Sequence, residues 1–343
     1  MKKFYAVVGN PPYQEEFSDE GNKAFSPPIY NFFMDEAEKV AEKVELITPA
    51  RFLFDAGSTP KIWNKKKLND PHFKVIHYEG NASTFFPDTD IKGGVAITLR
   101  DSASVFEPIR TFTPYEELLS ASHKVWKYAN SPLSDIIFTQ NRFNLDSLYA
   151  DHPNFKKIIG SNGSDKRFRN NIFEKIDVFS ENPTQEDDIS VIGVIGNKRC
   201  RRFIPRKYVD MGHENIASYK LAVPRVNGKG LLGETLSTPV VLRPYEGYTQ
   251  TFIGIGSCSS KDEACSIEKY VRTKFARALL GIKKITQDNE RDTWSKIPLQ
   301  DFTSSSDIDW SQSVADIDRQ LYRKYGLDDA EIEFIESHVK EMD

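Results

Sequence analysis

The sequence predicts an α/β fold: an open, partly parallel sheet in the first third, then a mixed α/β region and a helical tail. Three observations predict it. Short apolar runs rich in β-branched residues alternate with helical stretches between residues 4 and 100. Glycine or proline closes most of these runs, which stops a strand. From residue 125 onward the texture changes to strand-like pieces broken by Gly, Asn and Pro turns.

The first strand lies in "FYAVVGNPPYQ" (4–14). Phe4, Tyr5, Ala6, Val7 and Val8 suit a buried strand better than a helix of that length. Gly9 tolerates backbone angles closed to other residues. Pro11 and Pro12 fix φ and lack a donor, so the strand ends in a stiff loop. Ligands of open α/β sheets bind at such strand ends. The loop has its own chemistry. The Asn10 amide oxygen and the Pro11 carbonyl are two fixed acceptors, enough for both hydrogens of one exocyclic amino group. Tyr13 adds a flat face on which a base stacks at about 1–3 kcal/mol. An acyl or phosphoryl site would instead need a nucleophile, a base or a metal.

The later elements follow in order. "IYNFFMDEAEKVAEK" (29–43) sets Ile29, Phe32, Phe33, Ala37 and Val40 at helical spacing behind Pro28, and its aromatics are expected in the core. "VELIT" (44–48) is the next buried strand, stopped by Pro49, and "ARFLFDAG" is the loop at its end. "KIWNKKKLND" is a short helix, and "FKVIHYEG" (73–80) and "GGVAITLR" (93–100) are the third and fourth strands. In the second half, "DISVIGVIG", "YKLAVPRV", "TPVVLRPY" and "QTFIGIG" read as strands. "KDEACSIEKYVRTKFARALLGIKK" reads as one helix. The tail "SVADIDRQLYRKYGLDDAEIEFIESHV" is two helices, with Gly326 as a C-terminal cap. Val314, Ile317 and Leu321 form one apolar face, and Ile332, Ile335 and Val339 the other.

Composition narrows the function classes. The 343 residues suffice for two domains, and 39% hydrophobic with 12% aromatic content supports real cores. No apolar run reaches membrane-spanning length and no signal-peptide core opens the chain, so a cytoplasmic location is expected. Cys200, Cys258 and Cys265 form no CxxC pair, and neither a disulfide framework nor a metal site is expected. His77 and His213 show no ligand spacing. A net charge of −4 means that any DNA contact must come from local basic patches. The densest is "GNKRCRRFIPRKYV" (196–209), with Lys198, Arg199, Arg201, Arg202, Arg206 and Lys207 interleaved with Phe203 and Tyr208. Such runs suit phosphate backbones and base edges. Arg225 and Lys229 follow on the flexible "VPRVNGKG" loop. Arg272, Lys274, Arg277, Lys283 and Lys284, on or after the late helix, are further expected phosphate contacts.

Asn10-Pro11-Pro12-Tyr13 behind an apolar strand resembles motif IV of the DNA amino-methyltransferases, in the adenine-N6 branch. "LITPARFL" resembles the strand and loop that follow it in the type II restriction-modification enzymes with a fused specificity domain. "ASTFFPDTDIKGGVAITL" resembles the stretch ending in their motif VIII, and "IGSCSSKDEA…YVRTKFARALL…KKITQ" the end of their target-recognition domain. Similar helical tails end those enzymes. The resemblance implies a partial Rossmann-like methyltransferase sheet in 1–124, a target-recognition domain in 125–305 and a helical tail in 306–343. It implies that Asn10 and Pro11 orient the target amino group, with Pro12 completing the motif. It also implies that Tyr13 stacks on a flipped adenine and that Phe86 lines the pocket, with Phe85 as the register-shifted alternative. The implied methyl donor is S-adenosylmethionine, transferred without a covalent intermediate, and the implied partner is double-stranded DNA.

In those enzymes the cofactor turn and the acidic residue that holds the ribose lie N-terminal to motif IV. Only nine residues precede Asn10 here. The expectation is therefore that a second polypeptide supplies the cofactor half, or that the chain associates with itself, because the first strand is otherwise an apolar edge. "FIGIGS" (252–257) matches a Phe-x-Gly-x-Gly cofactor turn of a circularly permuted enzyme, but Gly254 and Gly256 read better as packing glycines. Two other functions remain in view: a non-catalytic DNA-binding specificity module, and an RNA or protein methyltransferase. No PD…ExK pattern supports DNA cleavage.

Overall fold

The computed structural model describes residues 3–15, 26–87 and 91–342. They form two compact units, Met1–Leu119 and Ser120–Asp343. The α/β class read from the sequence is the one observed.

The first unit holds four strands, β1 (Phe4–Gly9), β2 (Ala41–Pro49), β3 (Phe73–Glu79) and β4 (Val95–Asp101), in the order β1-β2-β4-β3. β1 and β2 are parallel, from Phe4↔Ala41 to Gly9↔Leu46. β4 is antiparallel to both β2 and β3, so β1, β2 and β3 all run the same way. Their C-terminal ends therefore share one edge of the sheet, the edge at which α/β sheets bind ligands. Helix α1 (Tyr30–Val40) crosses from β1 to β2, and α2 (Lys61–Leu68) lies between β2 and β3.

Two features of this unit differ from expectation. The helix stops at Val40, three residues early, because the Val40 carbonyl accepts from Lys3 N and Ala41–Lys43 join the ladder with β1. Its buried face is Tyr30, Asn31 and Met34, whereas Phe32 and Phe33 are 61% and 45% exposed. The core aromatic is Tyr30, whose ring meets Phe52 at 6.1 Å and Trp63 at 6.4 Å. Among the described residues β1 pairs only with β2, and it is not buried. Phe4, Tyr5 and Val8 are exposed, so the strand is an open apolar edge.

The chain enters the second unit within α3 (Glu116–Tyr128). There β5 (Ile137–Phe138), α4 (Leu145–Asp151) and two one-turn segments, α5 (Gly160–Gly163) and α6 (Ile172–Lys175), precede a hairpin of β6 (Ile189–Ile195) and β7 (Lys198–Ile204). Gly196 and Asn197 both have positive φ, 52° and 64°, as a two-residue hairpin turn requires. β10 (Glu246–Tyr248) pairs with β6 in parallel. A second sheet has the order β5-β11-β8-β9, built with β8 (Tyr219–Pro224), β9 (Val240–Leu242) and β11 (Phe252–Cys258). β6 sits between two cores. Ile189 and Val191 pack with Phe143, Phe168 and Phe179, while Ile192 packs with Ala222, Leu242, Tyr248 and Phe252.

The stretch expected as one late helix is two, α7 (Lys261–Arg272) and α8 (Lys274–Gly281). Thr273 leaves helical geometry (ψ 147°) and N-caps α8, its hydroxyl accepting from Ala276 N at 3.1 Å. The tail forms α9 (Val314–Tyr325) and α10 (Asp329–His338), joined through Gly326 at φ 63°. Ile317, Leu321, Ile335 and Val339 are buried, as their spacing predicted.

Candidate functional site

Three segments meet the shared edge of the first sheet: the one after β1, the turn Ala50–Phe54 after β2, and residues 80–87 and 91–94 between β3 and β4. The first is Asn10–Tyr13. Asn10 and Pro12 are exposed, and Pro11 and Tyr13 half-buried. The loop is tied down by its own return. Ile29 N donates to Tyr13 O at 3.1 Å, and Glu15 N to Pro27 O at 3.1 Å. The prolines leave Pro11 O and Pro12 O without a neighbouring ladder, so their direction is set by the backbone alone.

Phe86 comes to this loop. Its ring meets Tyr13 edge-on at 6.3 Å and 82°. Phe85, the alternative, instead meets His77 at 5.7 Å. The loop that carries Phe86 is anchored twice, with Phe86 N donating to Ala82 O at 2.9 Å and Arg51 Nε to Lys92 O at 2.7 Å. Gly94 (φ 73°) closes it where the chain passes against Glu79 O and Gly80 Cα, too tightly for any side chain. Burial pushes the Tyr13 phenol up to about 12, opposed by the adjacent Asn10 amide, so it is neutral at pH 7. Its hydroxyl is buried, with the Asn10 amide beside it but no hydrogen bond of ordinary geometry. Sequence reasoning missed two further buried polar atoms without partners, Asn31 Oδ1 in the first turn of α1 and Thr48 Oγ1 at the end of β2. The one sequence signal for Thr48 was a polar residue closing an apolar strand.

In the second unit Lys198, Arg199, Arg201 and Arg202 of the basic run lie on strand β7, Arg206 and Lys207 on the short turn after it, and Arg225 and Lys229 beyond β8. These cations divide into two groups. Arg201 pairs with Glu246 at 3.1 Å, Arg202 with Glu181 at 2.9 Å, Lys207 with Asp151 at 2.6 Å, and Arg225 with Asp288 at 3.2 Å and with Glu290. Lys198, Arg199, Arg206 and Lys229 have no carboxylate partner among the described residues. Arg199 lies over the Phe252 ring at 5.7 Å and Arg206 over Tyr245 at 4.5 Å. Two late-helix cations are not available to phosphate, contrary to expectation. Arg277 and Lys284 are only 2% and 4% exposed, because they hold backbone carbonyls. Arg277 donates to Arg272 O at 3.0 Å and to Lys340 O at 2.5 Å, and Lys284 to Asn227 O at 2.8 Å. Burial lowers both pKa values, that of Arg277 to about 10.

The glycines of "FIGIGS" do not fit a cofactor turn. Gly254 lies mid-strand in β11, where a Cβ would strike the buried Tyr248 hydroxyl and sit 2.7 Å from Asn215 Nδ2. A Cβ on Gly256 would lie 2.7 Å from Ile267 Cδ1. Both are consumed by packing. This segment therefore does not fit S-adenosylmethionine. No group of three His, Cys, Asp or Glu among them is placed to hold a metal, and no helix is long and apolar enough to cross a membrane.

Residues 1–86 match the family of Eco57I restriction-modification methylases. The matched methylase segment contains both Asn10–Tyr13 and Phe86. No curated protein matches the chain. Among solved structures, "cryoEM structure DrdV-DNA complex" is similar over 94% of this chain, at 10% identity and a TM-score of 0.39. The chain spans 44% of the length of that structure's chain.

Proposed function

We propose that this chain carries the base-binding part of an adenine-N6 DNA methyltransferase of a restriction-modification system. The observation that carries the reading is Asn10-Pro11-Pro12-Tyr13 at the end of a parallel strand, with Phe86 against Tyr13, inside the methylase-matched segment. In this reading an adenine leaves the duplex, which costs a few kcal/mol of unstacking. Asn10 Oδ1 and Pro11 O accept its two N6 hydrogens and hold the nitrogen lone pair toward the donor. Tyr13, neutral at pH 7, stacks on the base, and Phe86 closes the side. Residues 1–124 are the catalytic portion, 125–305 the recognition domain and 306–343 the tail. Lys198, Arg199, Arg206 and Lys229 take duplex phosphates, while Arg201, Arg202, Lys207 and Arg225 exchange carboxylates for phosphates on binding.

S-adenosylmethionine is the methyl donor in this reading, and its cradle comes from a further polypeptide that covers the open edge of β1. The exposed Phe4, Tyr5 and Val8 support that placement. Because Gly254 and Gly256 are taken up by packing, calorimetric titration of S-adenosylmethionine into the purified chain is expected to give no saturable heat. Micromolar binding would show that this account of the cofactor is wrong. The second reading is a DNA-binding specificity module without turnover, favoured by the same lack of a cradle. Asn10→Ala separates the two: it stops methyl transfer in the first and changes nothing measurable in the second.

A further inference from the structure

A cavity of about 390 Å³ in the second unit plays no part in the function proposed above, Arg225 apart. It lies beside β5, the start of β11 and the segment after Asn289, and Ile137, Gln140, Arg225, Phe252, Ile253 and Glu290 are among its lining residues. Its size is in the range of ligand pockets, and its walls are mostly apolar. Most of the charges at its rim have partners. Arg225 pairs with Asp288 and Glu290, and Arg291 donates to Ser134 O at 2.7 Å. Arg291 has no carboxylate partner among the described residues, but the mostly apolar walls suit a flat ligand.

Gln140 is the residue that needs explaining. It is 6% exposed and lines the cavity, yet its side-chain amide has no hydrogen-bond partner among the described residues. With no protein partner, the amide is open to the cavity, and both its donor and its acceptor are available to a molecule that enters. Around it, Asn141 Oδ1 accepts from Tyr248 N at 2.8 Å and Thr139 O from the Tyr248 hydroxyl at 3.0 Å, while Asn141 Nδ2 is buried without a partner. An amide offers one donor and one acceptor side by side, the complement of adenine N6 and N7. Phe252 supplies an aromatic wall, and Glu290 adds an acceptor at the rim that disfavours a carbonyl-edged base.

We propose that this cavity is a second base site, in which Gln140 pairs with the amino-bearing edge of adenine. The base arrives either on DNA or as a free nucleoside, and only the first source rests on the DNA reading above.

The test uses the full chain, adenosine as the probe, and Gln140→Met, which keeps volume and removes the amide. Saturation-transfer NMR is expected to show adenosine contact with the wild type. Uridine is expected to bind about tenfold more weakly, and the contact is expected to vanish in Gln140→Met. The melting temperature of Gln140→Met is expected to hold or rise, since no protein hydrogen bond is lost. A clear drop, or failure to fold, makes the amide structural and overturns the proposal. Duplex binding across a salt series separates the sources. For a base on DNA, Gln140→Met weakens binding about tenfold at unchanged salt slope. For a free nucleoside, duplex affinity is unchanged while adenosine contact is lost. Wild type that binds duplex but shows neither adenosine contact nor a Gln140 effect overturns the second site and leaves the DNA reading standing. Adenosine contact without duplex binding does the reverse.

Discussion

Gly254→Ala tests whether "FIGIGS" is a packing motif or a cofactor turn. The added Cβ would strike the Tyr248 hydroxyl and lie 2.6 Å from Tyr248 Cζ and 2.7 Å from Asn215 Nδ2. Tyr248 and Asn215 are both fully buried, so neither has solvent to move into. The hydroxyl donates to Thr139 O at 3.0 Å and accepts from Asn215 Nδ2 at 3.1 Å. Overpacking of this kind costs about 1–3 kcal/mol, and straining each buried hydrogen bond about 0.5–1.5 more. The sum is about 2–6 kcal/mol, or roughly 4–24 °C of melting temperature for a unit of this size. Thermal unfolding followed by circular dichroism measures it. Tyr248→Phe removes the struck oxygen, so the double variant Gly254→Ala/Tyr248→Phe is expected to lose less than the sum of the two single changes. A Gly254→Ala protein melting within about 1 °C of wild type would refute the packing argument and reopen the cofactor turn.

Tyr13→Phe is expected to retain methyl transfer, because the hydroxyl makes no hydrogen bond of ordinary geometry, whereas Tyr13→Ala loses the stack and with it about 1–3 kcal/mol, read as a 5- to 150-fold fall in kcat/KM. In duplex binding, Lys198→Ala, Arg199→Ala, Arg206→Ala and Lys229→Ala are each expected to reduce the slope of log K against log salt by about 0.9, and the carboxylate-paired Arg202 and Lys207 by less. His213 is buried with its Nε2 on Thr139 O, and burial, the largest cause, depresses its pKa below 6.5. The neutral ring is therefore the folded form, so its stabilisation is present above pH 6.5 and lost as pH falls through the lowered value. Denaturant midpoints between pH 7 and 5 are expected to fall less steeply in His213→Gln than in wild type. Asp318, raised to about 6 by burial, acts with the opposite sign in the same window and is common to both proteins, so the difference between them isolates His213.

What was legible in the sequence was what depends on neighbours along the chain. The strands around Val7, Leu46, Val75 and Ile97, and the cap at Gly326, follow from apolar runs, Pro and Gly stops, and helical period. Asn10–Tyr13 was legible because four adjacent residues carry its chemistry. The face of α1 was misread because Phe32 and Phe33 are apolar at helical spacing, yet Tyr30 reaches the Phe52–Trp63 cluster and Met34 is buried with it on the same face. The break at Thr273 was hidden because Asp318, far along the chain, completes it by accepting from Lys274 N and Phe275 N. Arg277 and Lys284 look like surface cations until residues 227 and 340 supply the carbonyls that bury them. The same distance hid Gln140, an unremarkable amide in sequence that only the assembled cavity leaves unpaired.

The most direct test of the central claim is to map N6-methyladenine in the DNA of a host lacking adenine methylation. The host would express this chain together with the polypeptides encoded beside it, as wild type or as Asn10→Ala. The account predicts methylated adenines in a defined sequence with wild type and none with Asn10→Ala, at equal protein level and equal duplex affinity in vitro. Methylation that survives Asn10→Ala, or is absent with wild type, would contradict it.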